Sequence, residues 1–88
     1  HAGDGNLHPT ILCDKRDKEE MARVHKAVDA IFEVALKLGG TCSGEHGIGT
    51  AKVKYMIDEV GLGTIEYMKQ IKTGVDPKNL LNPAKIGL

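Results

Sequence analysis

The sequence predicts an α+β fold, mostly helical with two short strands. Apolar residues at Met21, Val24, Val28, Ile31, Phe32 and Ala35 recur at spacings of three and four, the mark of one buried helical stripe. Val53, Met56, Ile57 and Val60, then Ile65, Met68 and Ile71, repeat that pattern in two shorter segments. Two other runs, residues 8–13 (His-Pro-Thr-Ile-Leu-Cys) and 40–43 (Gly-Thr-Cys-Ser), are short and apolar or small, which favours extended chain.

Taken in order, the first strand leaves a polar opening motif. Pro9 lacks an N–H and belongs at the start or edge of that strand. Residues 14–17 form a charged turn. Asp17, with Glu20 three residues on, has the form of a helix cap, and the acidic residues of the first turn favour the positive end of the helix dipole. Gly39-Gly40 ends this helix, and His25 lies at the boundary of its stripe. The second strand follows at 40–43. Thr50 is placed to cap a helix over 51–59; Gly61 and Gly63 interrupt it, and Thr64 opens another that stops at Gly74. Asp76-Pro77 repeats a cap-then-proline start of a short helix before an irregular tail. A two-stranded sheet is seldom stable alone, so a helix-covered face and at least one strand edge are expected to lie open.

Composition narrows the function. Twelve basic and twelve acidic residues cancel over 88 positions, so no net field draws nucleic acid or an anionic membrane surface. No apolar run is long enough to span a membrane. Phe32, Tyr55 and Tyr67 are the only aromatics, which leaves the core to aliphatic residues and methionine. A chain of this length buries only about 60 to 65% of its unfolded surface. Cys13 and Cys42 fit no metal or redox spacing and read as free thiols, as in a cytoplasmic protein, with a disulfide as the alternative if their strands pair. The chain starts with His, and it reads as an excised piece of a longer protein.

The chemistry is concentrated in two glycine-dense segments: His1-Ala2-Gly3-Asp4-Gly5-Asn6-Leu7-His8-Pro9 and Ser43-Gly44-Glu45-His46-Gly47-Ile48-Gly49. They hold three of the four histidines. His1 and His8 are seven apart, an odd separation that would send them to opposite faces of an unbroken strand. They converge only if the chain bends, and Gly3-Asp4-Gly5-Asn6 supplies turn-forming residues. Two imidazoles and a carboxylate are a common ligand set for a divalent metal with an open position, which makes Glu45 the third candidate. His46 is expected to diverge from its neighbour Glu45 in an extended segment, and is better placed as a general base. Turn glycines with solvated histidines are the bland alternative for either segment alone; their combination favours a site.

These two motifs, together with Asp76-Pro77-Lys78-Asn79-Leu80-Leu81-Asn82-Pro83-Ala84-Lys85, resemble the C-terminal end of the FAD-linked oxidases of the vanillyl-alcohol oxidase superfamily, in the branch of glycolate oxidase catalytic subunits and D-lactate dehydrogenases. The resemblance spans nearly the whole chain. It implies that residues 1–88 are the C-terminal portion of a substrate or cap domain, a fragment of a helix-covered antiparallel sheet, with the FAD-binding domain absent from this chain. It implies oxidation of a small 2-hydroxy acid, glycolate or D-lactate, to the 2-oxo acid with hydride passing to FAD. His1, His8 and Glu45 would then bind the divalent metal, zinc, manganese or iron, and His46 would take the hydroxyl proton. Thr10 occupies a position that relatives place near the substrate; Lys52 follows the second motif at the family's usual distance, as a substrate contact or as a surface lysine, and Asn82 occupies a position near the flavin. Ala84 stands where the family more often has glycine and restricts the backbone there.

The resemblance also sets expectations about partners. The missing domain, or a second copy of the fragment, is expected to cover the open faces; other oxidase subunits could bring the protein to a membrane surface peripherally. The fragment alone would be inactive. A metal-binding or interaction module without catalysis is the alternative of another class. A hydrolytic zinc site is the third, although the helical His-Glu-x-x-His arrangement is absent.

Overall fold

A computed structural model describes all residues, His1 to Leu88. Two compact units partition the chain, His1–Gly44 and Glu45–Leu88.

The first unit is built on one helix, α1 (Lys18–Lys37). Its start follows from Asp17, whose Oδ1 accepts the backbone N–H groups of Glu19 and Glu20 at 2.9 and 3.0 Å, removing two of the unpaired donors that every helix start carries. Glu20 does not complete the reciprocal arm of a capping box. Its carboxylate accepts the N–H of Asp14 at 2.9 Å, so it holds the charged turn against the helix start. At the other end Gly39 takes a left-handed φ of 81°, and its N–H reaches Leu36 O at 3.0 Å while that of Gly40 reaches Ala35 O at 2.8 Å. This pair of bonds is a Schellman close, which requires a residue free of the Cβ penalty at the left-handed position. Met21, Val24, Val28, Phe32 and Ala35 are half-buried, whereas Ile31 of the expected stripe is exposed.

The second unit is built on α2 (Met56–Val75), entered through a short 3-10 turn, Val53–Tyr55. Tyr55 and Met56 are buried and form its core. Lys54 Nζ lies 4.9 Å from the centroid of the Tyr55 ring, a cation–π contact that lets the lysine stem cover the aromatic face. Gly61 interrupts α2 with φ 77° and ψ 160°, a conformation open essentially to glycine alone.

The expected strands are absent: no residue of the chain lies in a sheet, so the α+β assignment gives way to two helices with connecting turns and extended segments. The reason is pairing. Residues 8–12 are all exposed and Leu12 is 91% exposed, so that run has no buried face to fix a register and no ladder partner. Three helix boundaries differ as well. Residues 51–52 form a turn before the 3-10 segment, and Thr50 caps nothing. Helical bonding resumes after Gly61 without a fresh start at Thr64 and continues through Gly74 to Val75. Asp76-Pro77 opens a turn instead of a short helix: proline disfavours helical backbone in the residue before it, and Asp76 sits at φ −137°, ψ 65°.

That turn is organised by the buried Asp76 carboxylate. It accepts the N–H groups of Leu80 and Leu81, each at 2.9 Å, and pairs with the Lys72 ammonium one helical turn back. These donors hold its carboxyl down from the usual 3.8 to about 2, the Lys72 hydrogen bond contributing most. The same lysine donates to Asn79 Oδ1 at 3.0 Å, and Asn79 tolerates a left-handed φ of 50°.

Candidate metal centre

The bend required between the first two histidines exists as a 3-10 turn, Ala2–Asp4. His1 O accepts the N–H groups of Asp4 at 2.9 Å and Asn6 at 3.2 Å, and Ala2 O accepts that of Gly5 at 3.0 Å. Gly5 closes the turn at φ 75°, where any side chain would be strained.

Asn6, the one half-buried residue of this opening motif, meets the second motif. A Cβ built on Gly44 would lie 2.2 Å from Asn6 Oδ1 and 2.5 Å from its Cγ. Only a residue without a side chain permits this approach. Glu45 is the next residue in sequence. Local pattern gives Asn6 a turn-forming role only; its contact with Gly44 links residues 38 positions apart, for which local pattern carries no signal.

The donor set fits a divalent cation of the zinc, manganese or iron kind: two imidazole nitrogens and one carboxylate oxygen. Three donors bound at about 2.1 Å to one ion stand roughly 3.4 Å apart. All three side chains are exposed.

His46 does not diverge from Glu45 as an extended segment would require. Residues 44–46 bend, and His46 Nε2 comes 3.5 Å from Glu45 Oε1. The contact is long for a hydrogen bond, and both side chains are open to solvent, so it orients the imidazole only loosely.

Of the remaining sequence candidates, Thr10 is exposed in the extended segment after Pro9. Lys52 is half-buried, and its backbone N–H donates to Ile48 O at 3.3 Å. Asn82 is exposed with a left-handed φ of 44°. Both cysteines are free thiols, and Cys13 Sγ lies 3.7 Å from Met21 Sδ. No helix is long and apolar enough to cross a membrane.

Comparison with known proteins gives this arrangement a context. The family described as FAD linked oxidases, C-terminal domain, matches residues 1–86. Among curated proteins, the chain is 51% identical over 86 residues to the glycolate oxidase subunit GlcD of Bacillus subtilis, covering 98% of this chain and 18% of that protein. It is 46% identical over 86 residues to a probable mitochondrial D-lactate dehydrogenase of Danio rerio, covering 98% of this chain and 17% of that one. Against the GlcD subunit of Escherichia coli K12 the identity is 42% over 85 residues, 97% of this chain and 17% of the relative. The chain therefore spans less than a fifth of the length of each of these relatives.

Proposed function

We propose that this chain, which belongs to the family of FAD linked oxidase C-terminal domains, supplies the metal and proton-transfer residues of a flavin-dependent dehydrogenase acting on a small 2-hydroxy acid such as glycolate or D-lactate. The observation that carries the proposal is the close approach of Asn6, in the bend between His1 and His8, to Gly44, the residue that precedes Glu45 and His46 in sequence.

His1, His8 and Glu45 are the residues that would hold the metal. Bound there, a divalent ion would polarise the substrate's 2-hydroxyl and orient its carboxylate, while FAD, held mainly by the remainder of the full chain, would accept the C2 hydride. His46 Nε2 takes the hydroxyl proton as that hydride leaves, so the alcohol loses two electrons and two hydrogens and becomes a 2-oxo acid. Thr10 and Lys52 are assigned to substrate contact and Asn82 to the flavin side. The half-open apolar faces of the helices, where Val34 is 55% and Ile71 52% exposed, would be covered by the rest of the full chain. Activity then belongs to that full chain and not to these 88 residues alone.

Rapid mixing of the full, flavin-loaded chain with glycolate and with D-lactate, followed through flavin absorbance, tests the reading. Wild-type flavin should bleach with at least one of the two acids, and His46→Asn should slow bleaching by about 100-fold or more. Equal rates in wild type and His46→Asn would remove His46 from proton transfer; no bleaching with either acid would reject the substrate class.

A further inference from the structure

The loop that carries Glu45 and His46 has little stiffness of its own. Gly47 and Gly49 stand at φ 78° and 55°, and glycine in such positions samples many conformations at little cost. Yet the loop is tied at its far end. Ile48 O accepts the N–H of Lys52 at 3.3 Å, and Gly49 O accepts the N–H of Ile86 at 2.8 Å. The second bond joins the loop to the last residues of the chain. Gly87 completes the contact by lying against Val53, where a Cβ would come 2.9 Å from Val53 Cγ1.

The tail makes this reach in a costly conformation. Ala84 and Ile86 hold left-handed φ of 64° and 59°, and Gly87 follows at 77°. A β-branched residue at positive φ is a genuine outlier, and such strain persists only where the surroundings over-determine it. Here the surroundings are the Ala84 N–H to Leu88 O bond at 2.8 Å and the Ile86 bond to Gly49.

We propose that residues 84–88 form a strap that fixes the Glu45–Gly49 loop, making Ile86 and Gly87 positioning residues for Glu45 and His46. The strap acts through the Ile86 N–H and through the close approach of Gly87 to Val53. The inference rests on the functional reading above for its consequence in catalysis, but not for its geometry.

Two substitutions at one position separate backbone from side chain. Ile86→Gly keeps the N–H and readily adopts positive φ, whereas Ile86→Pro removes the N–H and fixes φ near −65°. Hydrogen–deuterium exchange resolved to single residues, on the full chain, should find the Ile86 amide of the wild type protected. Exchange over residues 47–53 should rise roughly fivefold or more in Ile86→Pro and stay near wild type in Ile86→Gly, as expected for loss of one backbone hydrogen bond. In turnover, kcat should fall about tenfold in Ile86→Pro at unchanged flavin content and return in Ile86→Gly. Gly87→Val, which blocks the seat against Val53, should reproduce the loosened loop, and it serves as the second variant if Ile86→Pro does not fold. An unprotected wild-type Ile86 amide, or loop exchange that neither Ile86→Pro nor Gly87→Val alters, would overturn the strap. A wild type that turns over no 2-hydroxy acid would reject the functional reading and leave the exchange comparison to decide the strap.

Discussion

Replacing Gly44 by alanine tests how the two motifs are brought together. Gly44 is not among the residues with positive φ, so alanine meets no backbone penalty there and the effect is steric alone. The new Cβ would stand 2.2 Å from Asn6 Oδ1, 2.5 Å from Cγ and 2.9 Å from Nδ2. Ordinary contact lies at about 3.5 Å, so the overlap is on the order of 1 Å. Turning the amide about its own axis does not help, because all three of its heavy atoms are too close. Asn6 must leave, or the backbone beside Glu45 must move. Overpacking of this kind costs typically about 1 to 3 kcal/mol, which corresponds to roughly 5- to 150-fold in an equilibrium constant. Calorimetric titration of the full chain with Zn²⁺ or Mn²⁺ should show affinity reduced within that range, alongside a lower thermal midpoint. In a double-mutant cycle with Asn6→Ala, the damage from Gly44→Ala should shrink, with a coupling energy of about 1 kcal/mol or more. Wild-type affinity and midpoint in Gly44→Ala would show that Asn6 and Gly44 are not in this close contact.

Three further outcomes follow from the local structure. Asp17→Ala should destabilise the fold by about 1 kcal/mol and speed amide exchange at Glu19 and Glu20, whose N–H groups lose their acceptor, while Asp17→Asn should cost little. Asp76 contributes stability that is fully present above pH 3.8 and is lost as pH falls through about 2, because its folded carboxyl is held low by Lys72, Leu80 and Leu81. The difference in denaturant midpoint between wild type and Asp76→Asn should therefore narrow between pH 4 and pH 2; a constant difference would contradict the assignment. Ala84→Gly, at φ 64°, should stabilise by about 0.5 to 1 kcal/mol, since the left-handed penalty for alanine exceeds the extra chain entropy of glycine. A lower midpoint in that variant would count against the left-handed backbone.

How much was legible in the sequence divides along the line between local and distant partners. Helix α1 was readable because its determinants are all within a few residues of its ends: the Asp17 cap, the stripe from Met21 to Ala35, and Gly39-Gly40. Gly61 announced its break because the residue type alone permits that conformation. The strands failed for the opposite reason. Residues 8–13 and 40–43 have a strand's composition, but a strand exists only with a partner, and composition cannot supply one. The histidine pair was legible as a requirement, since His1 and His8 need a bend and Gly3-Asp4-Gly5-Asn6 permits one. The Asn6 contact with Gly44 and the Ile86 bond to Gly49 were not, because each joins segments nearly forty residues apart. The expected divergence of Glu45 and His46 assumed extended backbone where the chain bends.

His1, His8 and Glu45 are proposed to hold a divalent metal. Elemental analysis of the full, flavin-loaded chain and its Glu45→Ala variant, both purified without chelators, checks that assignment. Close to one zinc, manganese or iron per flavin is expected in the wild type and a large loss in the variant, with flavin content unchanged. Metal-free wild type that still reduces its flavin with a 2-hydroxy acid, or metal retained in full by Glu45→Ala, would contradict it.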